Sequence, residues 1–336
     1  MRCYKLGDKP GLQNLALHEL DIPEPGANEV TIRVKAASLN YRDWEIINGQ
    51  YHSPYQPDVI PLSDGAGEIV SVGNAVTDFA PGDGVIGSFW QGWDAGELGQ
   101  AIQPKTLGDP LNGFLSEYVV LPASGIVRKP EALTFSQAAT LPCAGVTAWQ
   151  ALVVKGQICS GQFVLIQGTG GVSLFGLQIA RAHGAHAIVL SSDDTKLEQA
   201  RELGAHTLIN YRKTPEWAEQ VRAATGGRGV DHVIEVGGPN TLAQSLAALA
   251  PGGQINVVGY LGGKEGQINP LQILQSHAVV RGIAVGPRSS LVQLCQATCA
   301  GLFQPYIHAS YAWQDVAQAF TDLHSANHIG KLVLKF

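Results

Sequence analysis

The sequence predicts an α/β protein in which a doubly wound parallel sheet is joined to a smaller antiparallel β domain. Between about residues 160 and 285, short apolar runs alternate with helical patterns six times. Before about residue 125, alternating strands are separated by Gly and Pro turns. The length of 336 residues suits two domains, and the 40 glycines cluster at strand ends and turns between apolar runs, which is typical of α/β proteins.

The parallel sheet is predicted from continuous apolar runs, which are typical of strands buried on both faces. Strands are predicted at residues 163–166, 186–190, 207–210, 230–236, 254–258 and 278–285, with helices at 172–183 and about 194–203, helices beginning at Pro215 and Thr241, and a turn at Pro251-Gly252-Gly253. Right-handed crossovers between such units make the Rossmann strand order the default.

A glycine-rich turn follows the first strand and opens the first helix. It reads Gly168-Thr169-Gly170-Gly171-Val172, and Ser173 takes the place of the third glycine in the usual G-x-G-x-x-G pattern. Backbone N–H groups and the helix dipole favour a pyrophosphate at such a helix N-terminus. We therefore expect residues 168–172 to bind a dinucleotide, since a tight turn alone would not require six alternating units around it.

The N-terminal strands predict a small antiparallel barrel. Residues 30–36 alternate in polarity, and the short strands 65–73 and 85–87 flank the turn Pro81-Gly82-Asp83. The stretch 88–113 is long, irregular and rich in Gly and Trp, which favours a functional loop or lid.

Composition excludes several classes of protein. The net charge of −6 and the lack of a basic block argue against a nucleic-acid partner. No apolar run is long enough to predict a signal peptide or a membrane helix. Five scattered cysteines without a CxxC indicate reduced thiols, so we expect a cytoplasmic protein.

Several motifs together resemble one family along the whole chain. They are residues 36–43 (AASLNYRD), 61–67 (PLSDGAG), 79–83 (FAPGD), 141–148 (LPCAGVTA), Asn210-Tyr211 and Ile329-Gly330-Lys331. In order and spacing they are similar to the medium-chain dehydrogenase/reductase superfamily, which includes alcohol dehydrogenases and quinone oxidoreductases. The resemblance implies a GroES-like catalytic domain at 1–125, a Rossmann domain at 126–287, and a return of 288–336 to the catalytic domain.

The resemblance also draws attention to missing metal ligands. Where the zinc enzymes of the family carry Cys, Gly-His-Glu and Cys, this chain reads Asn40, Leu62-Ser63-Asp64 and Cys143. A catalytic Zn²⁺ takes about three protein ligands and an open position, and only one of the three remains here. The stretch 88–113, which would carry a structural zinc lobe, contains no Cys. We therefore predict an enzyme without zinc.

The cofactor is predicted from the end of the second strand of the parallel sheet. An Asp or Glu at that position would bind the ribose hydroxyls of NADH, but the chain has Ser191 and Ser192. Lys196 and Tyr211 resemble residues that hold the 2′-phosphate of NADPH, so NADPH is favoured. NADH stays open because Asp193 could reach the ribose instead of capping a helix. The resemblance implies further cofactor contacts from Thr147, Gly237, Gly259 and Lys331.

Catalysis without a metal suits some reactions better than others. Reduction of a quinone, or of a C=C bond conjugated to a carbonyl, needs only hydrogen-bond donors at the developing enolate oxygen. Asn40 is the leading candidate donor, with Tyr41 and Tyr51 as further donors or pocket walls. Asp43 is expected either to shuttle protons or to anchor Arg42 or the backbone.

Two other functions remain open from the sequence. The protein could be an alcohol dehydrogenase or carbonyl reductase of the same superfamily, or a nucleotide-binding protein without physiological turnover. The apolar sixth strand and the resemblance further predict a homodimer that pairs two sheets across an exposed edge.

Overall fold

A computed structural model of the chain describes residues 1–99, 103 and 105–336. Its contacts divide the chain into two compact units, residues 1–146 with 286–336, and residues 147–285. The first unit includes the strand Ile126–Arg128, which the sequence placed in the nucleotide-binding domain, because this strand pairs with Gly84–Gly87.

Seventeen strands are present among the described residues. In chain order, β1 to β17 span Arg2–Lys5, Ala16–Glu19, Glu29–Ser38, Asp64–Val72, Gly84–Gly87, Trp90–Gln91, Lys105–Thr106, Tyr118–Pro122, Ile126–Arg128, Phe163–Gln167, His186–Ser191, Thr207–Asn210, Val230–Glu235, Leu249–Val257, Val279–Gly282, Ile307–Ala312 and Lys331–Lys335.

Ten α-helices accompany these strands in the described part of the chain. In chain order, α1 to α10 span Tyr41–Ile47, Phe135–Ala138, Val146–Trp149, Gly171–Ala182, Asp194–Glu202, Trp217–Ala224, Pro239–Ala248, Pro270–Ser276, Arg288–Cys299 and Val316–Ser325. None of the helices described is both long and apolar enough to cross a membrane.

The second unit is built on a six-stranded parallel sheet in the order β12-β11-β10-β13-β14-β15. This is the predicted Rossmann order, which the structure confirms. The apolar runs located these strands because their side chains are buried on both faces; Leu165, Ile188 and Val233, for example, share one core.

Four elements of this unit differ from the sequence-based prediction. The predicted turn at Pro251-Gly252-Gly253 lies within β14, where Gly252 has a φ of 79° and the register against β13 shifts. Because glycine adopts positive φ without a Cβ clash, the strand bends there and does not end. Helix α6 begins at Trp217 rather than at Pro215, helix α7 begins at Pro239 rather than at Thr241, and β15 is only four residues long.

The first unit contains a seven-stranded sheet centred on β3. Strand β4 pairs antiparallel with β3, while β17 and β8 also pair with β3, at its two ends. Strand β5 extends the sheet to β9, and β16 joins β17 in parallel. The alternating pattern predicted β3, β4 and β5 because one of their faces packs on a core that includes Ile32, Ile69 and Phe114.

The register of this sheet gathers three strand ends at one place. Ser38, the last residue of β3, pairs with Asp64 at the start of β4 and with Val333, two residues after the start of β17. The residues next to these ends, Asn40 and Lys331, are therefore brought together although 291 positions separate them.

Candidate active site

The first candidate residues lie where β3 leads into α1. The Asn40 N–H donates to Asp43 Oδ2 at 2.8 Å, and the Asp43 N–H donates to the Asn40 carbonyl at 3.0 Å. Asp43 is completely buried, so its carboxylate satisfies the N-terminal end of α1 as in a capping box. Of the two roles expected for Asp43, the geometry provides the anchoring of the backbone.

The Asn40 side chain contacts a buried lysine. Lys331 Nζ donates to Asn40 Oδ1 at 2.6 Å and to the Leu39 carbonyl at 2.5 Å. Asn40 and Lys331 are 9% and 3% exposed, so both lie out of bulk water. At the other end of the amide, Asn40 Nδ2 is buried and makes no hydrogen bond of normal geometry with the described residues, although it is close enough to the Asp64 carboxylate to lower the pKa of that group. A buried donor in this state is available to a ligand.

Asp64 is the second buried carboxyl group of the cluster. Ser63 Oγ donates to Asp64 Oδ1 at 2.9 Å, and the Cys143 N–H donates to Asp64 Oδ2 at 3.2 Å. Burial raises the pKa of Asp64, whereas Lys331, the Asn40 amide and the Ser63 hydroxyl oppose that rise. Asp64 thus joins the residues at the three positions where the zinc enzymes of the resembled family hold their metal.

Burial governs the protonation of the other groups in the cluster. It raises the pKa of the Cys143 thiol well above its ordinary value, and the Asp64 carboxylate adds to this effect, so the thiol stays protonated near neutral pH. Burial lowers the pKa of Lys331, an effect that Asp64 opposes most. Burial also raises the pKa of Asp43 to about 6, although the positive charge of Arg42 acts to lower it.

The buried Arg42 side chain connects several parts of the site. Its guanidinium donates to the Leu107 carbonyl at 3.1 Å and to Thr106 Oγ1 at 3.2 Å, and lies 3.6 Å from Asp43 Oδ1. It also lies over the Tyr51 ring, 5.1 Å from its centroid. Arg42 therefore fixes the end of β7 and the Tyr51 side chain relative to α1.

The two candidate tyrosines occupy different surroundings. Tyr51 is partly buried, its hydroxyl oxygen accepts a long hydrogen bond from Arg42 Nε at 3.5 Å, and burial raises the pKa of its hydroxyl. Tyr41, by contrast, is 42% exposed at the first turn of α1. The structure brings Asn40, Asp43 and Tyr51 into one network through Arg42, and leaves Tyr41 at the surface.

Leu62 holds an uncommon backbone conformation beside the cluster. Its φ is 74°, although it is a completely buried leucine, and left-handed φ costs a residue with a Cβ roughly 1–2 kcal/mol. The Phe114 N–H donates to its carbonyl at 2.9 Å, and a Cβ on Gly113 would approach that carbonyl oxygen to 2.0 Å. The zinc enzymes have glycine at this position, where no such cost arises.

The donor set does not fit a catalytic zinc ion. Asn40 Oδ1 is occupied by the Lys331 ammonium, and Ser63 is engaged with Asp64. Zinc binds thiolates and neutral imidazoles, and a neighbouring ammonium repels a dication. Among the described residues, no group of three or more His, Cys, Asp or Glu side chains is arranged to hold a metal ion.

The loop that begins with Trp90 is only partly covered by the structure. Trp90 and Trp93 pack edge to face with centroids 6.4 Å apart, and the Arg288 N–H donates to the Trp93 carbonyl at 3.0 Å. Part of the predicted loop 88–113, namely residues 100–102 and 104, lies outside the described residues.

The predicted dinucleotide loop lies between β10 and α4, in the second unit. Gly168 has a φ of 72°, which glycine adopts without strain. A Cβ built on Gly170, which follows Thr169, would meet no atom within 4 Å, and α4 begins at Gly171 and continues through Val172. The loop thus presents bare backbone at a helix N-terminus, as a pyrophosphate requires.

Ser173 explains how the motif tolerates the loss of its third glycine. Its hydroxyl is buried and donates to the Gln167 carbonyl at 2.7 Å, so it stabilises the turn between strand and helix. The departure from G-x-G-x-x-G therefore leaves the loop geometry intact.

The end of β11 carries the residues predicted to choose the cofactor. β11 ends at Ser191, and the Tyr211 N–H donates to the Ser191 carbonyl at 3.1 Å, so these two residues are adjacent. Asp193 Oδ1 accepts from the Lys196 N–H at 3.0 Å and caps α5. One carboxylate oxygen of Asp193 thus caps the helix. Helix capping and contact with the ribose were the two roles that the sequence left open for Asp193. Ser192, between Ser191 and Asp193, is partly buried.

A buried polar network that sequence reasoning missed supports the next loop. Glu235 is completely buried at the end of β13. Its oxygens accept from the N–H groups of Gly237 and Gly238, from the hydroxyls of Thr241 and Ser245, and from Gln167 Nε2. This buried carboxyl group is tolerated because five donors are directed at its two oxygens.

The remaining predicted cofactor residues are spread over both units. Gly237 follows β13, and Gly259 follows β14 at the same edge of the parallel sheet. Thr147 is buried in the second unit. Lys331 belongs to the first unit, where its ammonium contacts Asn40.

The comparisons with known proteins agree with this arrangement. Residues 26–131 match the model of the alcohol dehydrogenase GroES-like domain, and residues 171–298 match the model of the zinc-binding dehydrogenase. A zinc-type alcohol dehydrogenase-like protein of Schizosaccharomyces pombe is 42% identical over 335 residues, which covers 97% of this chain and 96% of that protein. The chain is a medium-chain dehydrogenase/reductase.

Other members of this superfamily are similar over the full length. The quinone oxidoreductase of Rattus norvegicus is 28% identical over 99% of this chain and 97% of its own. A protein of Sinorhizobium meliloti 1021, assigned as an alcohol dehydrogenase, has a crystal structure with a TM-score of 0.94 at 41% identity, over 100% of this chain and 98% of that one. The structure of an NAD-dependent alcohol dehydrogenase has a TM-score of 0.93 at 31% identity, over the whole of both chains.

These relatives establish the class of activity. The protein is an oxidoreductase that uses a nicotinamide cofactor and acts on a small molecule. The predicted fold, a Rossmann sheet with a GroES-like domain, is likewise confirmed.

Proposed function

We propose that this medium-chain dehydrogenase/reductase uses NADPH, without zinc, to reduce a quinone or a C=C bond conjugated to a carbonyl. The observation that carries the proposal is the buried Asn40 amide, whose Nδ2 lacks a hydrogen bond of normal geometry and lies at a position where the zinc enzymes of the family hold their metal. A donor of that kind stabilises an enolate or hydroquinone oxygen, whereas an alkoxide calls for a stronger Lewis acid.

Each residue of the site has a separate role in such a reduction. When bound, NADPH supplies a hydride to the electrophilic carbon of the substrate. Asn40 Nδ2–H donates to the carbonyl oxygen, on which the negative charge develops. A proton then completes the reduction, and the hydroxyl of Tyr51, which belongs to the same network as Asn40, is the candidate donor. Asp43 acts through position, because it anchors the turn that carries Asn40.

The choice of NADPH follows from charge at the end of β11. Ser191 and Ser192 offer no carboxylate to bind the ribose or to repel a 2′-phosphate, and Lys196 lies on the first turn of α5. Tyr211 is exposed beside Ser191. The rival is NADH, as used by the related NAD-dependent alcohol dehydrogenase. The helix-capping role of Asp193 reduces its ability to serve as the ribose acceptor.

Alcohol dehydrogenation is the second candidate, and the names of the relatives favour it. One set of assays separates the candidates. Purified protein is incubated with NADPH or NADH and a panel of enones, quinones, aldehydes and alcohols, and its zinc is measured after dialysis. We expect reduction of enones or quinones with less than stoichiometric zinc and no loss of rate with a chelator.

Three outcomes would contradict the proposal. Alcohol oxidation that depends on about one zinc per chain would establish the second candidate. Preferential turnover of NADH would overturn the cofactor assignment alone. Tight NADPH binding without turnover of any of these substrates would instead indicate a nucleotide-binding protein.

A further inference from the structure

We infer that Lys331 is a positioning residue, which holds the Asn40 carboxamide with its N–H₂ end toward the oxygen of the substrate. The inference rests on the proposed reductase function and specifies how its hydrogen-bond donor is set. It assigns Lys331 a role different from the cofactor contact that the family resemblance implies.

The argument begins with the two ends of an amide. The oxygen of Asn40 can only accept and its nitrogen can only donate, yet the two ends have nearly the same shape. A rotation of 180° about the last side-chain bond would exchange them. A carboxamide is therefore a dependable donor to a substrate only if something in the protein distinguishes its two ends.

Lys331 makes that distinction at the oxygen end, while the nitrogen end interacts with the Asp64 carboxylate. An ammonium group has three donors and no acceptor, so the atom 2.6 Å from Lys331 Nζ has to be the oxygen of Asn40. The rotated amide would place N–H₂ against the ammonium at the same distance, inside a site where both side chains are at least nine-tenths buried. Exclusion of the pair from bulk water strengthens this discrimination.

The lysine is itself held in place. Its Nζ also donates to the Leu39 carbonyl at 2.5 Å, one residue before Asn40. Lys331 begins β17, which is registered against the end of β3 through Val333 and Ser38. The sheet therefore fixes the distance between ammonium and amide, and Asn40 Nδ2 is left as the end without a well-formed bond.

The positive charge of Lys331 could alternatively act on the substrate directly, through its electric field. The two roles differ in one respect. A direct effect would persist when Asn40 is replaced, whereas a positioning effect exists only while the amide is present. A double-mutant cycle in kcat therefore separates them.

The first experiment compares Lys331→Met, Asn40→Ala and the double variant, with Lys335→Met as the matched control. Lys335 lies on the same strand and is exposed. Loss of one preorganised donor costs about a hundredfold in kcat, so we expect Asn40→Ala to lose about that factor and Lys331→Met at least tenfold. The double variant should be no slower than Asn40→Ala, the Kd for NADPH should change less than twofold in both single variants, and Lys335→Met should behave as wild type.

Multiplicative losses of kcat in the cycle would overturn the inference in favour of a direct field. An unchanged kcat in Lys331→Met would also overturn it. A large rise in the Kd for NADPH in this variant would instead show that Lys331 binds the cofactor, as the family resemblance implies. Asn40→Asp covers the case in which Lys331→Met fails to fold. The carboxylate keeps the contact with Lys331 but cannot donate, so kcat should fall while the melting temperature holds; retention of kcat would refute the donor role.

A second measurement does not depend on turnover. In protein labelled with ¹⁵N at asparagine, the side-chain amide signals of Asn40 are identified by their loss in Asn40→Ala. We expect them to shift or broaden in Lys331→Met and to stay in place in Lys335→Met. Unchanged signals in Lys331→Met would refute the positioning contact. If wild type reduces no enone or quinone but these signals respond, the contact stands and the proposed function fails.

Discussion

At the scale of single residues, cofactor choice depends on the end of β11. A charge-assisted hydrogen bond to a phosphate is worth roughly 1.5–3 kcal/mol, which is about ten- to a hundredfold in affinity. We expect wild type to bind NADPH at least tenfold more tightly than NADH, and Lys196→Ala to weaken NADPH binding several-fold while leaving NADH nearly unchanged. Ser191→Asp should shift the preference toward NADH, since a carboxylate binds the ribose and repels the phosphate. Fluorescence titration of both cofactors tests all three proteins.

Equal affinity of wild type for the two cofactors would count against this assignment. It would mean that Asp193, despite its cap on α5, or another acceptor contacts the ribose. Lys213 is a useful control cation in the same region, because its ammonium pairs with Asp194 Oδ2 at 2.5 Å. Lys213→Ala should change NADPH affinity less than Lys196→Ala does.

The buried Asp43 makes a second prediction at this scale, in the pH dependence of stability. Its pKa is raised from 3.8 to about 6, so between these values the folded protein binds a proton that the unfolded chain has released. The free energy of unfolding therefore falls as pH rises through this window, by up to about 1.4 kcal/mol per pH unit. In Asp43→Asn, which keeps an acceptor for the Asn40 N–H, this fall should be smaller.

Denaturant unfolding at pH 4, 5, 6 and 7 measures the effect. The relevant quantity is the difference in slope between wild type and variant, because other carboxyl groups contribute equally to both. Asp21→Asn, an exposed site, controls for the loss of one negative charge. If Asp43→Asn and Asp21→Asn show the same pH dependence as wild type, Asp43 does not hold a proton in the folded state.

At the scale of elements, the N-terminus of α4 is predicted to be a pyrophosphate site. Gly170 has a φ of −74°, and an added Cβ would meet no atom within 4 Å, so Gly170→Ala should cost the free protein little stability. The same methyl group would stand where the backbone has to approach a phosphate. We expect at least a tenfold rise in the Kd for NADPH with a melting temperature within a few degrees of wild type.

Gly282→Ala is the matched control for that prediction. Its added Cβ would also be free of contacts, but it lies on β15, away from the loop. Both variants should melt like wild type, and only Gly170→Ala should lose affinity. Undiminished NADPH binding by Gly170→Ala would place the pyrophosphate elsewhere.

At the scale of the whole molecule, we expect two copies to pair through β15. This strand is the last of its sheet, and Val279 on it is 40% exposed. An uncovered apolar edge strand is a template for pairing with another chain, and a two-fold axis would join two such edges. Light scattering at micromolar concentration should give twice the mass of one chain. Val279→Lys should lower it, while Leu17→Lys, an exposed apolar position on β2, should not.

A monomer mass for wild type at micromolar concentration would exclude this assembly. A dimer that Val279→Lys leaves intact would show that another surface is used. Neither result would bear on the fold of the single chain, because β15 is already paired with β14 within its own sheet.

Regular structure in the second unit could be predicted because it follows local rules. Four strands of the parallel sheet, β10 to β13, were located to within one residue, since burial on both faces leaves continuous apolar runs. The position of the glycine loop follows from the same pattern. The prediction lost accuracy at Pro251–Gly253, because the conformation of Gly252 depends on its pairing with β13 and not on its neighbours in sequence.

The sequence alone determined the superfamily, the Rossmann strand order and the loss of the zinc ligands, and it identified Asn40 as a candidate site residue. Each of these depends on a motif or on the spacing of apolar residues. Only the tertiary structure decided what surrounds Asn40. The contact with Lys331 spans 291 positions, and the bond from the Cys143 N–H to Asp64 spans 79. Such contacts arise from the register of β3 with β4 and β17, and no local pattern encodes them. The same is true of protonation, since burial sets the pKa values of Asp43, Asp64 and Cys143, and burial is a property of the folded chain.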